Sequence, residues 1–375
     1  MNRVAFLLVL TVGIACQAMA ATRVSVEQLE QLLGSVHGQS DGKIARQLSG
    51  LELTERASSL RVARWEADFS GRQTREALIE LADASAFLDL PAAEMLAKAP
   101  PDREGRVALL LKTVNSLNMT VTKLPNFYAK RTTEHFEDTP AIERWGRPGR
   151  AGGVSAYVPL HGIGKSTVTV SYHDGYELVN AKKTSLGTGG PAVTGLTTSG
   201  EFGPILLVVF DNAIRGKMAW GHWEQGANGI EAVFRYWVAQ GQSSYLVAIP
   251  QPRGKPAEKV FPAYHGELAL DPATGDILRI TAVGDFVEPY VMVKASIVVE
   301  YGSVPIGGAN YICPVKGVAL SRTPFISADD GLQGGARPMQ TQLNDITFSE
   351  YHLFRGDARI LPGEAWDADQ PGAPK

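Results

Sequence analysis

The chain has 375 residues, 44% of them hydrophobic, and 36 basic against 39 acidic side chains give a formal charge of −3. Both signs are scattered along the whole length with no basic stripe, which argues against nucleic acid as a partner. So long a chain with so much apolar residue exceeds what one core usually holds, and two domains are expected.

The first twenty residues read as an export signal. Arg3 supplies a positive start, Val4 to Cys16 is an uncharged apolar run, and Ala18-Met19-Ala20 fits the small-x-small cleavage pattern. The run is shorter than the roughly 20 residues a membrane helix needs. Cleavage after Ala20 and a periplasmic or extracellular destination are therefore expected. Lipidation of Cys16 is a weaker alternative, because Gly13-Ile14-Ala15 is a poor lipobox. No later run is long enough to span a bilayer; the most apolar, Ile205 to Phe210, suits a buried helix or strand. After the signal Cys313 is alone, in Tyr311-Ile312-Cys313-Pro314, where a buried inert thiol is expected.

Residues 21–120 show helical periodicity. Ser25 and Gln28 form a capping box, Val26, Leu29, Leu33 and Val36 share one face, and Gly38 follows the end. Ile44, Leu48 and Leu51 suggest a second helix, Thr54 can cap a third that Gly71 ends, and 76–88 is a fourth. A short helix over 91–99 opens on Pro91. Asp102 caps the last, with Val107, Leu110, Leu111, Val114 and Leu117 on its apolar face.

Residues 121–361 carry strand and turn signals. Ser166–Tyr172 and Tyr176–Val179 flank Asp174-Gly175, a two-residue hairpin turn. Met218–Glu224, Ile230–Val238 and Ser244–Ile249 read as three successive antiparallel strands. Tyr264–Leu270 and Asp276–Ala282 flank the turn Asp271-Pro272-Ala273-Thr274-Gly275. Lys294–Tyr301 and Asn310–Leu320 lie around Gly307-Gly308, and Ile346–Phe354 is the last strand. One helix, opened by Thr198 to Glu201 with Ile205 to Ala213 as its body, interrupts the run. Phe325 to Gln342 reads as a loop, and 362–375 as a disordered tail. The expected fold class is α+β: a helical region, then a curved, half-barrel-like antiparallel sheet with an embedded helix.

The chemistry is sparse. Gly164-Lys165-Ser166 lacks the upstream glycine of a phosphate loop, since Pro159 stands there, and a strand follows instead of a helix. No zinc, Cys-x-x-Cys or Gly-x-Ser-x-Gly motif occurs, so neither metal nor cofactor is expected. Glu134, Glu137 and Asp138 read as a solvated acidic patch. The densest cluster is Trp220-Gly221-His222-Trp223-Glu224. Strand alternation would put Trp220, His222 and Glu224 on one face. Phe234, Tyr236 and Val238 would form one face of the next strand. These aromatics suit cross-strand packing or the lining of an apolar ligand pocket around Trp220, His222, Glu224, Phe234 and Tyr236. A hydrolase using His222 and Glu224 is the catalytic alternative.

Leu270-Asp271-Pro272-Ala273-Thr274-Gly275, Arg279, Val299-Glu300-Tyr301, Ile306-Gly307-Gly308 and Cys313-Pro314 make a strand–turn–strand rhythm. Over residues 120–360 it resembles the periplasmic lipoprotein carrier and sorting (LolA/LolB-like) half-barrel group. That resemblance implies a curved sheet around a cavity for acyl chains, and carries over no site residue. The helical N-terminal region departs from that group. The whole chain is also similar to uncharacterised secreted proteins of acidobacteria, which implies no activity. The expected function is a carrier or binding protein for an apolar or lipid-like ligand. The alternatives are the hydrolase and a structural envelope protein acting through protein contacts.

Overall fold

The computed structural model describes residues 21–144, 153–180, 196, 201–202, 204–249, 258–286, 294–325 and 338–354. The expected signal, the tail and residues 198–200 of the expected helix opening lie outside them.

The chain begins with β1 (Thr22–Val24), α1 (Val26–Val36), α2 (Asp41–Leu48), β2 (Leu51–Leu53), α3 (Ser59–Asp68), α4 (Arg72–Ser85) and α5 (Arg103–Lys123). The α1 capping box forms as read: the Gln28 amide donates to Ser25 Oγ, and the Ser25 amide donates to the Gln28 side chain. Leu51 lies not in a helix but in β2, which pairs in parallel with β1. Ser58, not Thr54, precedes α3, which ends at Asp68. Residues 91–99 hold only a 3-10 turn over Ala92–Glu94. Asp102 caps α5 by accepting from the Gly105 amide at 2.8 Å. The expected α5 face is displaced: Leu109, Thr113 and Leu117 are buried, whereas Val107 and Leu111 are exposed.

Then follow β3 (Phe127–Thr139), β4 (Ile142–Arg144), β5 (Gly153–Ser155), β6 (Val158–His173), β7 (Tyr176–Asn180), α6 (Pro204–Arg215), β8 (Lys217–Gly226) and β9 (Gly229–Val238). The rest is β10 (Val247–Ile249), β11 (Glu258–Val260), β12 (Ala263–Leu270), β13 (Ile277–Asp285), β14 (Lys294–Ile306), β15 (Ala309–Pro324) and β16 (Met339–Leu353). Ten strands make one open antiparallel sheet in the order β7-β6-β3-β16-β15-β14-β13-β12-β9-β8. The fold is α+β, as expected, and the sheet is not closed. The expected turns form: Asp174 and Gly175 both have positive φ, and so do Gly275, Gly307 and Gly308.

Three expectations fail within the sheet. The segment 244–249 does not extend the β8–β9 hairpin; β10 pairs with β11, and β12 takes the place beside β9. Met339 to Gln342 belong to β16 and not to a loop. Glu134, Glu137 and Asp138 lie in β3, a central strand, where Asp138 is buried and accepts from the Thr341 amide at 2.8 Å.

Helices cover both faces. On one face α6 packs Leu206, Val209, Phe210 and Ala213, and α5 packs Leu109 and Leu117, onto Phe234, Tyr236, Tyr264, Leu268, Ile280 and Ile297. On the other, α4 and the residues after it meet Val298, Val318, Leu320 and Leu343. Between the two, residues 95–99 run along the β8 edge. Met95 bridges to Glu224, the Leu96 amide donates to Trp223 O, and Trp223 Nε1 donates to Ala99 O. Such a strap satisfies edge groups that would otherwise invite strand pairing. Among the described residues no helix is long and apolar enough to cross a membrane.

Candidate functional site

The expected aromatic and carboxylate cluster divides between the two faces. The β8–β9 register slips between Trp220 and His222, so Gly221 forms a bulge. A Cβ at Gly221 would come within 3.0 Å of Val233 O, which explains the glycine. Trp220 therefore points to the α6 face, edge-on to Phe234 and Trp223. His222 and Glu224 turn to the α4 face. The expectation that Trp220, His222 and Glu224 share a face is thus overturned by one extra residue.

Phe234 and Tyr236 do share a face, but they are packed in the α6 core. The Tyr236 hydroxyl crosses Gly266 and donates to Thr281 O at 2.6 Å. A Cβ at Gly266 would sit 2.9 Å from that hydroxyl and closer still to Thr281 O. Tyr236 is thus a satisfied core residue. Cys313 is buried, and burial pushes its thiol up to about 12.

Glu224 is a hub. Arg56 Nη2 donates to its Oε2 at 2.7 Å, Arg279 Nη2 donates to its Oε1 at 2.9 Å, and His222 Nε2 lies 2.9 Å from Oε2. Burial pushes the carboxyl up, but the His222 hydrogen bond and the Arg56 charge outweigh it and hold the carboxyl below its usual range. A carboxylate so held is a weak base.

Glu224 borders a cleft of about 780 Å³ between α3, α4 and the α4 face of the sheet. The size falls in the range of small-molecule sites, about 300–1,000 Å³. Its wall carries seven carboxylates (Glu66, Asp83, Glu134, Glu224, Glu231, Glu300 and Asp345) and four cations (Arg56, Arg75, Arg279 and Lys316), while His222 does not reach it. Lys316 Nζ donates to Asp83 Oδ1 at 2.6 Å and lies 3.7 Å from Asp345. Burial raises Asp83 to about 8 despite Lys316. Glu231 is raised to about 7, by burial first and then by Glu224 and Glu300.

Asp83, Glu231, Lys316 and Asp345 belong to no motif, and Glu300 enters the sequence reading only within the Val299-Glu300-Tyr301 rhythm, with no role attached. One signal was available: strand alternation turns Glu300 and Lys316 to the same face as Val298 and Val318, so both are charges at inward positions. Comparison of the chain with family models, curated proteins and solved structures finds no match in any of the three.

Proposed function

We propose that this is an exported binding protein whose ligand occupies the cleft between the helical layer and the charged face of the sheet. The observation that carries the reading is the cleft itself, an opening of ligand size walled by charged side chains from both layers. The hydrolase alternative loses support because Glu224 is saturated by two guanidinium groups and His222, and His222 stands off the cleft. The lipid-like ligand loses support because Phe234 and Tyr236 are occupied in packing against α6. Export rests on Arg3, the apolar run and Ala18-Met19-Ala20.

A thermal-shift screen with polar metabolites, grouped by charge at constant ionic strength, tests the cleft. A ligand raises Tm by binding the native state alone. Ala63→Trp and Ser303→Trp place bulk in the cleft from exposed positions. Hits on the wild-type protein should lose their effect in the double variant. An absence of hits, or hits indifferent to the two tryptophans, would overturn the reading.

A further inference from the structure

We propose that the ligand of this cleft is a small organic cation bearing an ammonium group, held by Glu231 and Glu300. This rests on the cleft being the binding site.

The argument starts from the sheet register. Arg279 lies opposite Glu300, and Glu300 lies opposite Lys316, so three charges of alternating sign cross β13, β14 and β15 side by side. Such a ladder would ordinarily neutralise itself. Here both outer cations turn away. Arg279 donates to Glu224, and Lys316 donates to Asp83. Glu300 is left without an ion pair among the described residues, although it stands between two cations.

Glu231 is in the same condition. It lies directly opposite Glu224 across the β8–β9 ladder, a like-charge pairing that costs stability unless something neutral or positive intervenes. Gly226 makes room for it: a Cβ there would fall 1.7 Å from Glu231 Oε1.

The sign of the ligand follows from what is already engaged. Arg56 and Arg279 are taken by Glu224 and Lys316 by Asp83, so at three of the four cleft cations an anion would compete with short internal pairs; the fourth, Arg75, is exposed on α4. A cation would meet Glu231 and Glu300, which hold no short ion pair among the described residues and feel only the more distant charges of Arg56 and Lys316. Among the described residues no three His, Cys, Asp or Glu side chains group closely enough for a metal ion. Spread acceptors suit an organic ammonium with N–H donors better than a compact divalent ion. At present a proton does part of that work at Glu231, which titrates near 7. Glu231 is faced by Glu224 on β8, Glu300 on β14, Asp271 at the end of β12 and Arg56 from the helical layer.

Isothermal titration of the purified protein with spermidine and 1,4-diaminobutane tests this, with magnesium chloride, tetramethylammonium and succinate as comparators at matched ionic strength. Saturable binding of the amines is expected at about pH 8. It should weaken about tenfold at pH 6, where Glu231 keeps its proton. E231Q/E300Q should lose at least about tenfold at pH 8 and lose the pH dependence, while E27Q/E104Q, a surface control, should match wild type. The wild-type pH dependence keeps the test decisive if the cleft variant folds poorly.

No saturable heat up to about 10 mM amine overturns the inference, as does binding unchanged by E231Q/E300Q or reproduced by magnesium. If neutral or anionic metabolites alone are hits, and the two tryptophans abolish them, the cleft stands and the cation falls.

Discussion

Three parts of the chain converge on Glu224: Arg56 just before α3, His222 two positions earlier in β8, and Arg279 in β13. All four side chains are at most 11% exposed. Removing one charge from such a buried set leaves its partners uncompensated, which costs about 3–5 kcal/mol. Glu224→Gln should lower stability by that order, read from urea-denaturation midpoints; a midpoint near wild type would mean the two guanidinium groups find other acceptors. The pH sense follows from the depressed carboxyl. The stabilisation is complete above the ordinary carboxylate range and is lost as pH falls through the lower folded value. The adjacency of His222 and Glu224 could be read from spacing alone, since two residues apart on a strand return to one side. The separation of Trp220 could not, because nothing in the composition around Gly221 announces a bulge.

The helix α4 carries two carboxyls of the opposite kind. Burial raises Glu80 to about 8, and Asp83 to about 8 against the pull of Lys316. The folded chain then holds protons that the unfolded chain, with carboxyls near 4, has released. Stability from these groups is full below about pH 4 and falls as pH rises to about 8. Glu80→Gln should flatten that decline between about pH 5 and 8 in urea titrations; an unchanged slope would remove Glu80 as its source. At this scale the sequence was most legible where local chemistry decides the outcome. The Ser25–Gln28 box, the Asp102 cap and the positive-φ pairs at 174–175 and 307–308 all formed as read. It was least legible in β3, whose buried side presents Arg131, Thr133 and His135. Those residues meet partners from distant strands: His135 bonds Asn344 and Ser166. Polar residues on a buried face erase the two-residue hydrophobic rhythm that marks a strand. The α5 face slipped for a related reason. Leu109 and Leu117 join the core on the α6 face of the sheet, while Leu111, as apolar as they are, faces out.

For the whole molecule, the proposal of export makes a simple mass prediction. Expression of the full sequence in a bacterial host should yield a product beginning at Ala21, read by intact-mass spectrometry. A product that retains residues 1–20 would sink the reading of a cleaved signal. The cleft was hidden from sequence at this scale, because its walls come from α3 and α4 on one side and from strands up to Thr347 on the other. Contacts that far apart leave no periodic trace.

The position of β16 has a consequence for how the protein is made. It is the last strand in the described chain, yet it lies between β3 and β15 and so joins three early strands to six later ones. Until residues 339–353 emerge, the two parts have no common seam, and the edges of β3 and β15 wait unpaired. Long-range closure of this kind is slow and leaves sticky edges exposed in the meantime. The final strand therefore works as a keystone: the arch stands only once the last stone is laid.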